Sequence, residues 1–333
     1  MEFSFAPMEG VTNYIYRNVH HRFYGRVGKY YAPFLSPGPT VGIGAKGLAD
    51  VLPKNQADGL RLVPQILTNR AEDFVQTAVT LSEYGYREVN LNLGCPSGTV
   101  TAKKKGSGLL AEPDLLARLL DGIFEAGPVV RGEILVSVKT RIGRGSSDDW
   151  EELLELYNQY PICELTVHPR IQKDFYKGTP DWDAFQKAVE ISRLPLVYNG
   201  DINTPEDLSR LTDRFPAIRN VMIGRGLVRN PQLAENLARL CTDVTEKSTA
   251  GPGAAAPDFH RLRAFHDELL AGYEPVMSGE RNLLFRMKEM WSYLFASFPE
   301  NKKLEKRIQK SSRLSEYNAA VNELFAQAGQ GAV

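Results

Sequence analysis

From residue 1 to about residue 240, short apolar stretches alternate with amphipathic helical ones, and this alternation constrains the fold more than any other feature. Eight stretches read as strands: Phe3–Ala6, Val27–Tyr31, Leu62–Ile66, Glu88–Leu93, Leu135–Thr140, Cys163–His168, Pro195–Asn199 and Asn220–Ile223. Between them lie helical segments such as Glu72–Glu83, Asp114–Phe124, Trp150–Gln159, Trp182–Ile191 and Pro205–Arg214. Strands joined by helical crossovers make a parallel sheet. Eight such units in this length fit an α/β (β/α)8 TIM barrel better than a doubly wound sheet. No G-x-G-x-x-G opens a helix after an early strand, which weakens the dinucleotide-fold alternative. The run Thr249–Pro257, built from Gly, Ala and Pro, reads as a linker. The expected organisation is a barrel over 1–242, a linker over 243–257, and a small C-terminal helical bundle over 258–333. The bundle is read as four helices, Phe259–Tyr273, Glu280–Phe298, Leu304–Ser311 and Ser315–Gln327.

Composition narrows the class. Three scattered cysteines make neither a disulfide framework nor a zinc site, which suggests a reducing compartment and a cytoplasmic protein. No apolar run approaches the ~18 residues of a membrane span, and the short lead before the first strand leaves no room for a signal peptide. The 40 basic and 40 acidic residues cancel, so any nucleic-acid surface must be local.

In a barrel of this kind the active site forms at the C-terminal ends of the strands. Polar residues gather there: Ala6-Pro-Met-Glu-Gly10, Gln65, Asn92 with Cys95, Lys139-Thr-Arg141, His168-Pro-Arg170, Asn199-Gly-Asp201 and Gly224-Arg-Gly226. Cys95 follows the alternating strand Glu88–Leu93, with Gly94 permitting a bend and Pro96 ending the strand. A thiol at that place meets a substrate, or else it is a small inert hydrophobe. The glycine turns after the last two strands suit a phosphate-bearing cofactor, with charge from Arg225, although glycine turns are common at strand ends. Lys139 leaves a core strand and needs an anion, either a barrel carboxylate or the negative edge of a reduced flavin. His168 has no second histidine at ligand spacing, so no metal is expected.

Six segments together resemble the tRNA-dihydrouridine synthase family, FMN-dependent and of bacterial type. They are Ala6–Thr12, Asn92–Pro96 with Gly106–Leu110, Val138–Arg141, Val167–Arg170, Tyr198–Ile202 and Met222–Gly226, in order through the barrel. Arg286–Tyr293 resembles a basic-aromatic segment of the same family. The resemblance implies an enzyme that reduces the C5–C6 double bond of a D-loop uridine in tRNA, with FMN as cofactor and NADPH as electron donor. It implies that Cys95 protonates C5 while hydride reaches C6 from the flavin. Asn92, Arg141 and Arg170 would hold the uracil. Pro7 and Met8 would line the isoalloxazine ring, and Gln65, Lys139 and His168 its polar edge. Asn199, Gly200, Asp201, Gly224 and Arg225 would hold the ribityl phosphate end. After His168 many family members carry glycine, arginine and threonine, where this chain has Pro169, Arg170 and Ile171.

A tRNA partner requires a grip on phosphates. Lys302–Arg313 carries six basic residues and one acidic. Wound as a helix, it sets Lys302, Lys303, Lys306, Arg307, Lys310 and Arg313 within an arc of about 140°, with Leu304 and Ile308 opposite. Lys103, Lys104 and Lys105 lie just past Cys95, and Lys288 lies within the basic-aromatic segment. All are expected to face the tRNA backbone. The lysine loop and the Met287–Trp291 stretch resemble the bacterial branch that modifies position 16. A monomer is expected. Two other readings stay open: a flavin oxidoreductase of a small molecule (an enoate or dihydroorotate type), and a non-catalytic RNA-binding protein on a barrel scaffold.

Overall fold

The apolar stretches form nine short strands: β1 (Glu2–Phe5), β2 (Val27–Tyr31), β3 (Leu62–Val63), β4 (Gln65–Ile66), β5 (Glu88–Leu93), β6 (Leu135–Arg141), β7 (Leu165–His168), β8 (Leu196–Tyr198) and β9 (Asn220–Ile223). The computed structural model describes residues 1–38, 42–243 and 257–330. The strands join one sheet in the order β3-β2-β1-β9-β8-β7-β6-β5-β4, and each registered pair is parallel. β3 and β4 are one stave interrupted at Pro64, which has no N–H for the ladder. The Pro64 carbonyl still accepts the Asn90 N–H at 2.9 Å. β3 pairs with β2 and β4 with β5, so the two ends of the sheet are adjacent residues and the sheet closes into the expected eight-stave barrel.

Register sorts the side chains. Asn90 lies beside Ser137, Asn92 beside Lys139, Lys139 beside Thr166, and Arg141 beside His168. Paired residues of a parallel ladder share a face, so these polar groups form rows along the inside. The intervening Val89, Leu91, Val136, Val138 and Val167 are at most 1% exposed and point outward under the helices. Phe74 and Leu81 of the helix Ala71–Glu83, and Leu116 and Leu120 of Pro113–Phe124, are buried opposite them. Each such side chain stabilises the barrel by roughly 1.5–3 kcal/mol. Inside, Ala6, Tyr31, Val63, Val197 and Met222 form an apolar cluster.

At the other end of the strands an ion cluster fills the interior. Lys29 Nζ lies 2.9 Å from Glu164 Oε2 and 3.1 Å from Glu88 Oε2, and Tyr31 Oη donates to Glu164 Oε1 at 2.5 Å.

The chain gathers into two compact units. One holds Met1–Glu9, Gly28–Asp201 and Arg210–Ile223; the other holds Gly10–Val27, Ile202–Ser209 and the chain from Gly224 onward. The second unit contains helices Phe259–Tyr273, Glu280–Leu294, Lys302–Lys310 and Leu314–Gln330, close to the sequence expectation. Within it, Arg261 clamps Glu235 at 2.8 Å and the Phe23 carbonyl at 2.7 Å. Trp291 Nε1 donates to Tyr317 Oη at 2.7 Å, and Tyr317 Oη sits 2.6 Å from His266 Nε2. The expected linker lies, apart from its ends, outside the described residues. Among the described residues no helix is long and apolar enough to cross a membrane.

Candidate active site

Cys95 sits half-buried one residue past Gly94, where β5 turns at the rim. Asn92 builds that turn. Its Oδ1 accepts the N–H groups of Gly94 (3.0 Å) and Cys95 (2.9 Å), and its Nδ2 donates to Gln65 Oε1 at 2.7 Å. Gln65 in turn donates to Asn90 Oδ1 (2.7 Å), and Asn90 to Ser137 Oγ (2.9 Å), so one amide chain crosses three staves. From the far side Ser107 donates its hydroxyl to the Cys95 carbonyl at 2.8 Å. Gly106, at φ +56°, lets the chain pass so closely that a Cβ there would lie 2.9 Å from that carbonyl. Burial raises the thiol's pKa, against the lowering from the Ser97 N–H and Arg141, so Cys95 keeps its proton at neutral pH.

Lys139 lies beside Asn92 on β6, half-buried. Among the described residues no carboxylate pairs with it; its electrostatic neighbours are Arg141 and Cys95. Burial, then the charge of Arg141, lower its pKa from 10.5 to about 7. Thr166, next to it on β7, has a buried hydroxyl with no hydrogen-bond partner among the described residues.

Arg141 and Arg170, each 1% exposed, hold the rim together. Arg141 donates from Nε to the Gly94 carbonyl (3.0 Å), from Nη1 to Ile171 (2.8 Å) and from Nη2 to Phe175 (2.6 Å). Arg170 pairs with Asp201 at 2.5 Å and donates to the carbonyls of Lys177 (3.1 Å) and Gly178 (2.5 Å). Its Nη1 also lies 3.1 Å from His168 Nε2. A guanidinium only donates, so His168 Nε2 accepts and Nδ1 carries the ring proton.

The remaining expected residues fall as follows. Pro7 and Met8 are half-buried past the end of β1. Asn199 donates to the Met222 carbonyl at 2.8 Å. Gly200 is packed so tightly that a Cβ would overlap Tyr198 Oη. Gly224 and Arg225, in the second unit, open the short helix Arg225–Arg229. Lys103 is exposed, Lys104 pairs with Glu112 at 3.0 Å, and Lys105 is half-buried. On the second unit Lys302, Lys303, Lys306 and Lys310 are exposed above buried Leu304 and Ile308. Arg307 pairs with Glu323 at 2.5 Å, and Arg313 lies past the helix end. Lys288 donates its ammonium to the Ser311 carbonyl. Among the described residues no group of three His, Cys, Asp or Glu is placed to hold a metal.

Sequence reading missed Asn90, Ser137, Ser107 and Tyr176. Asn90 shares the strand phase of Asn92 and was available from period two. Tyr176, stacked 6.1 Å from the His168 ring and 5.4 Å from Arg141 Cζ, depends on how a loop folds and left no local signal.

Comparison with known proteins agrees with this architecture. Histamine dehydrogenase from Rhizobium sp. 4-9 aligns at a TM-score of 0.53 and 12% identity, over 72% of this chain and 45% of that one, a likeness of fold. A probable tRNA-dihydrouridine synthase of Staphylococcus aureus (strain COL) is 30% identical over 236 residues, 69% of each chain. A probable tRNA-dihydrouridine synthase 2 of Bacillus subtilis (strain 168) is 28% identical over 283 residues, 78% of this chain and 84% of that one. The family described as dihydrouridine synthase (Dus) matches residues 4–328, and the chain therefore belongs to the dihydrouridine synthase family.

Proposed function

We propose that the protein reduces the C5–C6 double bond of a D-loop uridine in tRNA to 5,6-dihydrouridine, with FMN as cofactor and NADPH as electron donor. The observation that carries this is a half-buried thiol at the rim beside a strand whose lysine, Lys139, no carboxylate pairs with among the described residues. Cys95 follows β5, on which Asn92 is the ladder partner of Lys139, and a hydrogen-bonded amide chain fixes the turn that carries Cys95.

The donor set fits a flavin. The Lys139 ammonium lacks a carboxylate among the described residues and suits the negative N1/C2 edge of a reduced isoalloxazine. Gln65 and His168 would flank that edge, and Pro7 and Met8 would line the ring. Asn199, Gly200 and Asp201 would hold the phosphate end. When bound, the flavin would supply hydride to C6 of the uracil.

The protein's own part is proton delivery and placement. Cys95 donates its Sγ proton to C5 as the carbanion there develops. Asn92 holds the turn that aims the thiol, while its second amide hydrogen stays available to the uracil edge. Arg141 and Arg170 keep the rim in register and contribute positive charge beside the pyrimidine carbonyls. On the second unit, the exposed lysines of Lys302–Lys310 supply a non-specific phosphate grip.

Cys95→Ala tests the assignment. It is expected to keep bound flavin and NADPH oxidation while dihydrouridine formation falls by about 10²–10⁴-fold, the usual worth of a general acid. Loss of flavin together with activity would make Cys95 structural and contradict the mechanism.

A further inference from the structure

The loop Ile171–Gly178, which follows β7 and His168 at the rim, exposes more apolar surface than its surroundings explain. Phe175 is 45% exposed and Tyr176 is 53% exposed. Phe175 also sits at φ +51° and ψ −99°, a backbone conformation that favours glycine and is costly for an aromatic residue.

The loop is not slack. Arg141 holds the carbonyls of Ile171 and Phe175, and Arg170 holds those of Lys177 and Gly178. The loop's one carboxylate, Asp174, turns back to accept the Ile171 N–H at 3.0 Å. What faces outward is two rings between Lys173 and Lys177, both exposed. Exposed Arg144 extends the basic surface from the β6 loop, where Gly145 approaches Lys173. The Tyr176 ring is engaged with His168 and Arg141, whereas the Phe175 ring has no aromatic partner among the described residues.

An aromatic held rigidly outward between cations, at a backbone cost, matches how proteins engage unstacked nucleobases. A uridine that reaches the barrel mouth must leave its stack, and the gap it leaves favours its return. We infer that Phe175 is the residue that fills this gap, inserting its ring into the D-loop stack while the uridine is extruded toward Cys95. It is a positioning residue: it holds the RNA in the opened state and touches neither the reacting atoms nor the cofactor. This rests on the reading of the protein as a uridine reductase of tRNA.

The experiment compares holoenzymes carrying Phe175→Gly and Phe175→Trp with the wild type on folded, unmodified tRNA. Phe175→Gly removes the ring and relieves the positive φ, so its thermal midpoint is expected at or above wild type. Its kcat/KM for dihydrouridine formation is expected to fall about tenfold, within the range of base–aromatic stacking losses. Flavin content, NADPH oxidation without tRNA, and the salt slope of tRNA binding are expected to stay unchanged, because no charge is removed. Phe175→Trp is expected to keep the wild-type rate. A Gly variant that reduces tRNA as fast as wild type overturns the inference, and so does one that loses flavin or flattens the salt slope. A wild-type enzyme that forms no dihydrouridine overturns the functional reading beneath it, a separate and visible failure.

Discussion

Lys29 and Lys139 are lysines of the same barrel, near opposite ends of its strands, and their surroundings differ in one respect. Lys29 has two carboxylates within 3.1 Å, and one of them, Glu164, also accepts from Tyr31 Oη. Burial pulls its pKa down, but the hydrogen bond and charge of Glu164, then of Glu88, outweigh that and raise it. Among the described residues Lys139 has no such partner, and burial with Arg141 takes its pKa to about 7. A satisfied buried charge belongs to the fold. An unsatisfied one at the end that carries Cys95 marks a candidate ligand site.

Substituting each lysine by an isosteric apolar residue should separate the two. Lys29→Met leaves Glu164 without its counter-charge and Glu88 with Arg61 alone, 3.7 Å away, and should cost about 3–5 kcal/mol, read from urea unfolding. Lys139→Met should do the reverse in flavin-free protein, leaving stability equal or higher, while flavin affinity falls about 10- to 100-fold with the lost charged hydrogen bond. Equal destabilisation by both would erase the distinction.

The smallest effect is a slope. Between pH of about 7 and 10.5 the unfolded chain holds a proton on Lys139 that the folded, flavin-free protein has released. Stability of that form should therefore rise as pH climbs through this window, and the penalty should be complete below it. Melting temperatures across the window, compared with those of Lys139→Met, check this; the variant should lack the rise that Lys139 contributes.

The eight staves were legible because apolar runs bounded by turn residues report strands directly, and even Pro64 left the stave recognisable while splitting its ladder. The rim residues were legible by position, as polar groups just past apolar strands. Their partners were not. Arg170 finds Asp201 and Lys29 finds Glu164 only through closure of the barrel, across 31 and 135 residues of chain. Asn92 is intermediate. The resemblance gave it the uracil edge, and the structure adds that its carbonyl caps the Cys95 turn. That is a local pattern, since an asparagine readily accepts the N–H two residues on, here that of Gly94. Phe175 had no signal in sequence, because the loop that carries it is held by Arg141 from a different stave.

The central claim is the reaction itself. Purified, flavin-loaded protein incubated with NADPH and unmodified tRNA should yield dihydrouridine at a single D-loop position when the tRNA is mapped by mass spectrometry. No dihydrouridine from protein that visibly carries flavin and oxidises NADPH would contradict the account and return the site to a small-molecule substrate.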